Sequence, residues 1–233
     1  MPLKIAPVTG KVILLTGANR GIGLATAHEL ARRDATVVAG VRDPQKMPQI
    51  AGVTVLTLDA ADPESCKAFI AQAEKQHGRI DGLINNAAIL LNGETPVLRL
   101  SEDDLRRTLE IDLFAPIRLC QLAVPGMLSR GYGRIVNISS GLGGITSMGQ
   151  GYSSYRMAKL ALNGFTRVLA AELGPDSPVK VNSLDPGWVK TDMGGASATR
   201  DPSEPAREIA DLVSIAADGP SGLFFRQGEQ REW

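Results

Sequence analysis

The sequence predicts an α/β protein built on one doubly wound parallel sheet of about seven strands, with helices on both faces. Three observations carry that prediction. Short apolar, β-branched runs recur at Lys11–Thr16, Thr36–Val41, Val53–Leu58, Ile80–Asn85, Arg134–Ser139 and Val179–Leu184. Longer segments with helical spacing separate them, so strand and helix alternate as right-handed crossovers in a parallel sheet require. The first run, Val12-Ile13-Leu14-Leu15, is continuously apolar, the pattern of a strand covered on both faces. With 233 residues, 43% hydrophobic and 21% charged, the chain suits a single domain over 1–233 with a full core.

The helical segments follow in order. Leu24, His28 and Ala31 share one face, as do Phe69, Ile70 and Ala73. Ser101, followed by Glu102, Asp103 and Asp104, reads as an N-cap with acids at the positive end of a helix dipole. A long helix over about Leu109–Leu128 accommodates Pro116 only with a kink or a break. Another runs over Ser153–Leu173 and stops at Gly174-Pro175. A last one is expected near Ser203–Ala217, which leaves about 186–205 as a short substrate-pocket segment and a rather open pocket.

Composition excludes several classes. Lys and Arg total 25 and Asp and Glu total 25, so no net field recruits nucleic acid or an anionic membrane. No stretch reaches the ~18 uncharged apolar residues of a membrane helix, and MPLKIAPVTGK lacks the apolar run of a secretory signal. A cytoplasmic protein without membrane or nucleic-acid partners is expected. Cys66 and Cys120 read as buried or partly buried thiols in a reducing compartment. No HExxH or cysteine cluster offers a metal site, and no metal is expected. His28 and His77 are isolated and read as packing or surface residues, while Trp188 and Trp233 suit either a pocket border or plain packing.

Between the first strand and the first helix stands Thr16-Gly17-Ala18-Asn19-Arg20-Gly21-Ile22-Gly23. Glycines there let the backbone turn sharply and approach a pyrophosphate held by the free N–H groups of a helix start. That context makes Gly17, Asn19, Arg20, Gly21, Ile22 and Gly23 cofactor-binding candidates in a Rossmann-type domain. An acid at the end of the second strand would select NAD by bonding its ribose. Val41 stands there instead, with Arg42 next and Asp43 one place too late. Arg42 and Arg20 therefore point to a 2′-phosphate and to NADP(H). Asp59, followed by Ala60, either contacts adenine or serves as turn chemistry.

Tyr155 and Lys159, four apart on a predicted helix, project from one face, and Ser139-Ser140 closes a strand shortly before them. Reducing a carbonyl takes a hydride donor, a proton donor and a group that holds the carbonyl oxygen. A tyrosine titrates near pH ~10, and one cation about 4 Å away supplies roughly the 4 kcal/mol needed to bring it towards neutrality. Lys159 is such a cation.

With these motifs the chain resembles the short-chain dehydrogenase/reductase family, and closely its NADPH-dependent carbonyl reductases. The resemblance rests on TGANRGIG (Thr16–Gly23), Leu58-Asp59, NNAA (Asn85–Ala88), NISS (Asn137–Ser140), YRMAK (Tyr155–Lys159) and PGWVKTDMGG (Pro186–Gly195). The segments Ser139–Asn163 and Asp218–Arg226 resemble the carbonyl-reductase branch in particular. The resemblance implies that Ser140 orients the substrate carbonyl, Tyr155 is the general acid/base, and Lys159 lowers the tyrosine pKa and grips the nicotinamide ribose. It places Asn86, Ala87, Ala88, Pro186, Gly187 and Val189 beside the cofactor and Thr191 on the pyrophosphate. Two positions depart from the pattern: Ala88 replaces a glycine, and Asp112 replaces the asparagine that completes the family's catalytic tetrad and helps hold a water in the proton relay. The implied activity is NADPH-dependent reduction of a ketone, aldehyde or quinone-like carbonyl, by a monomer or homo-oligomer. A sugar-nucleotide epimerase or dehydratase and a catalytically weak dinucleotide-sensing regulator are the alternatives.

Overall fold

A computed structural model describes residues 3–91 and 93–233; Met1, Pro2 and Asn92 lie outside the described residues. The apolar runs form β1 (Val12–Thr16), β2 (Thr36–Val41), β3 (Val53–Thr57), β4 (Gly82–Asn85), β5 (Gly133–Ile138) and β6 (Val179–Leu184). They pair in parallel, in the order β3-β2-β1-β4-β5-β6. Every residue of β1, β4, β5 and β6 is buried, as expected of strands with helices on both faces.

Two short strands extend the sheet to eight. β7 (Phe224–Arg226) joins β6 in parallel, and β8 (Glu229–Arg231) returns antiparallel to it. The return needs only Gln227 and Gly228, both with positive φ, 54° and 77°, as a two-residue hairpin turn demands. β8 is exposed and polar, which hides it from any hydrophobic pattern.

One face of the sheet is covered by α1 (Gly21–Arg32) and α6 (Ser203–Val213), whose Ala27, Leu30, Ile209 and Leu212 pack with Ile13, Leu15 and Val37. The other face carries α2 (Pro63–His77), α4 (Ala115–Ser129) and α5 (Ser153–Leu173). There Phe69, Ile70, Leu119 and Ala123 pack with Leu14, Leu83 and Ile135. α6 ends at Val213, short of the expected Ala217. Both cysteines are free and buried, and burial pushes the Cys120 thiol up to about 12, so it stays protonated.

The segment around Pro116 differs most from expectation. Helix begins at Glu102, directly after the Ser101 cap, as α3 (Glu102–Leu109). A π-helical turn, Glu110–Phe114, then leads without a break into α4. Pro116 has no N–H to give to the Asp112 carbonyl, and its ring crowds that carbonyl, so the helix widens there. The widened turn directs Asp112 into the interior, where its side chain is fully buried. The resulting Glu102–Ser129 stretch is, among the described residues, long and apolar enough by length and composition to cross a membrane, although Asp112 and Arg118 interrupt it, so no uncharged apolar run of that length exists. Leu119, Cys120, Ala123 and Met127 lie in the core, so packing against the sheet uses its apolar face.

Candidate active site

The strand order reverses between β1 and β4, where the crossovers leave to opposite faces and the carboxyl ends of the strands open a crevice. A cleft of about 1200 Å³ occupies that edge. Gly17, Asn19, Arg20, Gly21, Ile22, Gly23, Arg42, Asp59, Ala60, Asn86, Ala87, Ala88, Ser140, Tyr155, Lys159, Pro186, Gly187, Val189 and Thr191 all line it. Asp112 is the one candidate that does not.

The turn after β1 has the form of a phosphate cradle. Gly17 and Gly21 sit at φ +66° and +53°, and a Cβ on Gly23 would lie 2.2 Å from the Gly17 carbonyl oxygen. α1 starts without a side-chain cap and without an acid in its first turn, so its first N–H groups remain available to an anion. These features fit a dinucleotide pyrophosphate. The cradle is tied to β4: the Thr16 hydroxyl accepts the Asn86 and Ala87 N–H groups, both at 2.9 Å, and Asn86 Nδ2 donates to the Thr16 carbonyl at 2.8 Å. Asn86 therefore braces the turn as well as lining the cleft. Gly23→Ala should weaken dinucleotide binding by roughly ten- to a hundredfold in a fluorescence titration, because relieving the clash costs roughly 1–3 kcal/mol or opens the turn.

At the adenosine end Arg42 is exposed, and Lys46, which pattern reading did not select, lines the cleft beside it. Asp43 is committed locally: it accepts the Gln45 N–H at 3.2 Å and pairs with Lys46 at 3.1 Å. Asp59 likewise accepts the Ala61 N–H at 3.0 Å in a turn, while still lining the cleft. Arg20 reaches across to Asp192, at 2.7 Å, whereas Arg42 has no ion pair among the described residues.

The opposite end is built by β5 and α5. Ser140 follows β5, and its oxygen accepts the Leu142 N–H at 3.1 Å, leaving its own O–H to be given. Tyr155 and Lys159 lie on the first turns of α5. The helix comes so near that a Cβ on Gly143 would stand 2.7 Å from Lys159 Cβ. A buried network fixes its height: Asn85 donates to Asn137 at 2.8 Å, Asn137 to Thr166 at 2.9 Å, and Thr166 shares a 2.8 Å bond with Ser183. Neither Thr16 nor this network was selected from the sequence, because strand polar residues carry no pattern until their partners are known.

Lys159 and Asp112 form a buried pair, 2% and 0% exposed, with Nζ 3.2 Å from Oδ2. Nζ also donates to the Ile138 carbonyl at 3.0 Å and stands 5.3 Å from the Tyr155 ring centre. Asp112 Oδ1 accepts the Ile89 N–H at 2.9 Å, so this carboxylate anchors the loop after β4. Oδ2 accepts no well-directed hydrogen bond; its contact with Nζ is chiefly Coulombic. Burial pushes the Asp112 carboxyl up, against the pull of Lys159. Burial would lower the Lys159 ammonium, but Asp112 and Tyr155 hold it above the ordinary lysine range. Burial raises the Tyr155 phenol as well; Lys159 opposes that rise and Asp112 adds to it. The lowering expected from Lys159 is thus present but outweighed, and the protonated form of the Tyr155 phenol is favoured.

Arg200 and Tyr152 also escaped sequence reading. The Arg200 guanidinium, buried and paired with Glu208, donates to the Pro186 carbonyl at 2.7 Å and pins the loop after β6. Tyr152, left-handed at φ 53°, donates its N–H to the Gly93 carbonyl and lines the cleft.

Sheet, glycine turn and cleft together define a Rossmann-type dinucleotide-binding domain. The chain belongs to the short-chain dehydrogenase family, oxidoreductases that bind NAD(P)(H): the family profile described as short chain dehydrogenase matches residues 11–202. It is 35% identical over 207 residues to the 3-oxoacyl-[acyl-carrier-protein] reductase FabG of Pseudomonas aeruginosa, covering 85% of this chain and 80% of that one. It is 36% identical over 229 residues to the short-chain reductase protein NovJ of Streptomyces niveus, covering 94% and 84%. The structure of NADPH-bound carbonyl reductase from chicken fatty liver superimposes with a TM-score of 0.84 at 29% identity, over 97% of this chain and 100% of that one.

Proposed function

We propose that this chain reduces a ketone, aldehyde or quinone-like carbonyl to the alcohol with NADPH, and that Tyr155 is its general acid. The observation that carries this reading is the convergence of Ser140 and Tyr155 on the inner end of the cleft, with Lys159 buried behind them. Relatives named as 3-oxoacyl and carbonyl reductases support it. NADPH, when bound, supplies the hydride. The chain contributes the rest: the uncapped start of α1 holds the pyrophosphate, and Ser140 donates its O–H to the carbonyl oxygen. Tyr155 gives its phenolic proton to that oxygen as negative charge develops there, and Lys159 stabilises the phenolate left behind. Burial favours the protonated phenol, the form a general acid must have before it gives its proton.

The cofactor preference rests on charge. β2 ends on Val41 rather than on an acid, and Arg42 and Lys46 line the cleft there, beside an Asp43 already engaged by Lys46 and the Gln45 N–H. Charge-assisted bonds of this kind are worth roughly 1.5–3 kcal/mol each. NADPH should therefore exceed NADH in kcat/KM by at least about tenfold, and Arg42→Ala should erase most of that preference. Loss of NADPH absorbance with a panel of reactive carbonyls tests the whole reading. Tight NADPH binding without turnover of any carbonyl would favour a dinucleotide sensor instead.

A further inference from the structure

The C-terminal hairpin brings two cations into the cleft that the reduction chemistry does not use. Arg226 ends β7, Arg231 ends β8, and both line the cleft. Their guanidinium groups converge on one carboxylate, with Nη1 of Arg226 3.4 Å and Nη1 of Arg231 4.0 Å from Asp185 Oδ2. Asp185 is buried, and its Oδ1 already accepts the Gly187 N–H at 2.9 Å. Neither arginine side chain has another ion pair or hydrogen bond among the described residues, and Glu232, which also faces the cleft, pairs with neither. Two guanidiniums against one carboxylate leave most of their N–H donors without a partner among the described residues. With side chains 36% and 47% exposed, both keep donors open to the cleft.

Position decides what these donors can meet. Asp185 Oδ2 lies 2.8 Å from where a Cβ on Gly141 would stand, so the pair of arginines lies next to Ser140. The phosphate turn follows β1, four strands from β7 in the sheet order, which is about 19 Å at about 4.8 Å per strand. A pyrophosphate in that turn is out of their reach, whereas a substrate held at Ser140 is not.

We propose that Arg226 and Arg231 hold a carboxylate of the substrate, so that the preferred carbonyl compound is a compact oxo acid. This rests on the reading of the site as a carbonyl reductase. A planar guanidinium matches a carboxylate through two parallel N–H···O bonds, and the buried Asp185 draws both guanidiniums to one side of the cleft. Leu90, Leu142, Trp188 and Met193 line the same cleft and offer apolar surface to the carbon skeleton.

The test compares short oxo acids with their methyl esters, which keep shape and carbonyl but lose the charge. The wild type should prefer the acid in kcat/KM by at least about tenfold, the lower end for a hydrogen bond to a charged group. In the double variant Arg226→Gln, Arg231→Gln that ratio should fall to about one; should the double variant fail to fold, each single variant should lower the ratio. Equal use of acid and ester by the wild type, or a ratio that the variants leave intact, overturns the proposal. If no carbonyl is turned over, the reductase reading fails, and thermal stabilisation decides this proposal alone. An oxo acid should raise the Tm of the wild type with NADP⁺ but not that of the arginine variants; no rise, or an equal rise, overturns it.

Discussion

Tyr155→Phe should lower turnover in carbonyl reduction by roughly 10²–10⁴-fold, the usual share of general acid catalysis. The substitution removes one oxygen from a buried side chain and leaves the ring that packs beside Lys159. NADPH affinity should therefore stay near the wild-type value, because the phosphate cradle after β1 and the cations after β2 are untouched. The loss should appear in kcat rather than in substrate KM, as expected for an interaction made in the transition state. Steady-state kinetics with a reactive aldehyde, together with an NADPH titration, separate the two. Retained turnover would mean that another group supplies the proton.

Lys159→Met should destabilise the fold by about 3–5 kcal/mol, the cost of leaving one member of a buried ion pair without its partner. Asp112, fully buried, would keep only the Ile89 N–H as a compensating contact. The loss should depend on pH with a definite sign. Burial raises the Asp112 carboxyl above its unfolded value, and removing the lysine raises it further. A group raised on folding favours the native state below its unfolded pKa, and that advantage is lost as pH rises through the folded pKa. The deficit of Lys159→Met relative to wild type should therefore be larger at about pH 8 than at about pH 5 in urea unfolding. Adding Asp112→Asn should recover part of it, since the amide removes the stranded charge. An equal deficit at both pH values would show that losing Lys159 leaves the protonation of Asp112 unchanged between them.

The same carboxylate shapes the proton chemistry. Asp112 adds to the rise of the Tyr155 phenol while Lys159 opposes it, so the pH profile belongs to the coupled group. For alcohol oxidation, which needs the phenolate, the basic limb should lie at higher pH in wild type than in Asp112→Asn. For carbonyl reduction the wild type should stay active to higher pH. Superimposable profiles in both directions would show that Asp112 is electrostatically silent.

Much of the molecule was legible in its sequence. The six apolar runs became β1 to β6 within a residue or two, because strands buried on both faces admit little else. The α5 boundaries matched at both ends, since Gly174 and Pro175 stop a helix locally. Legible in the same way were the glycine turn and the Ser140, Tyr155 and Lys159 group, whose spacing is set by one turn or one helix face. The hairpin β7–β8 was missed because its outer strand is short, exposed and polar, although Gln227-Gly228 is a turn signal.

What the sequence by itself determined is everything that depends on near neighbours: strand order of appearance, helix ends, the φ values that only glycine accepts easily, and which residue types could hold phosphate or move a proton. What only the tertiary structure decided depends on residues far apart in the chain. Asp112 meets Lys159 across 47 positions because Pro116 forces a π turn that directs it inward. Arg20 is engaged by Asp192, Thr16 by Asn86 and Ala87, and Arg226 and Arg231 by Asp185. The reason is physical: a charge or a hydrogen bond acts over a few ångströms whatever the sequence separation, and burial sets its strength. Neither distance nor burial exists until the sheet has folded.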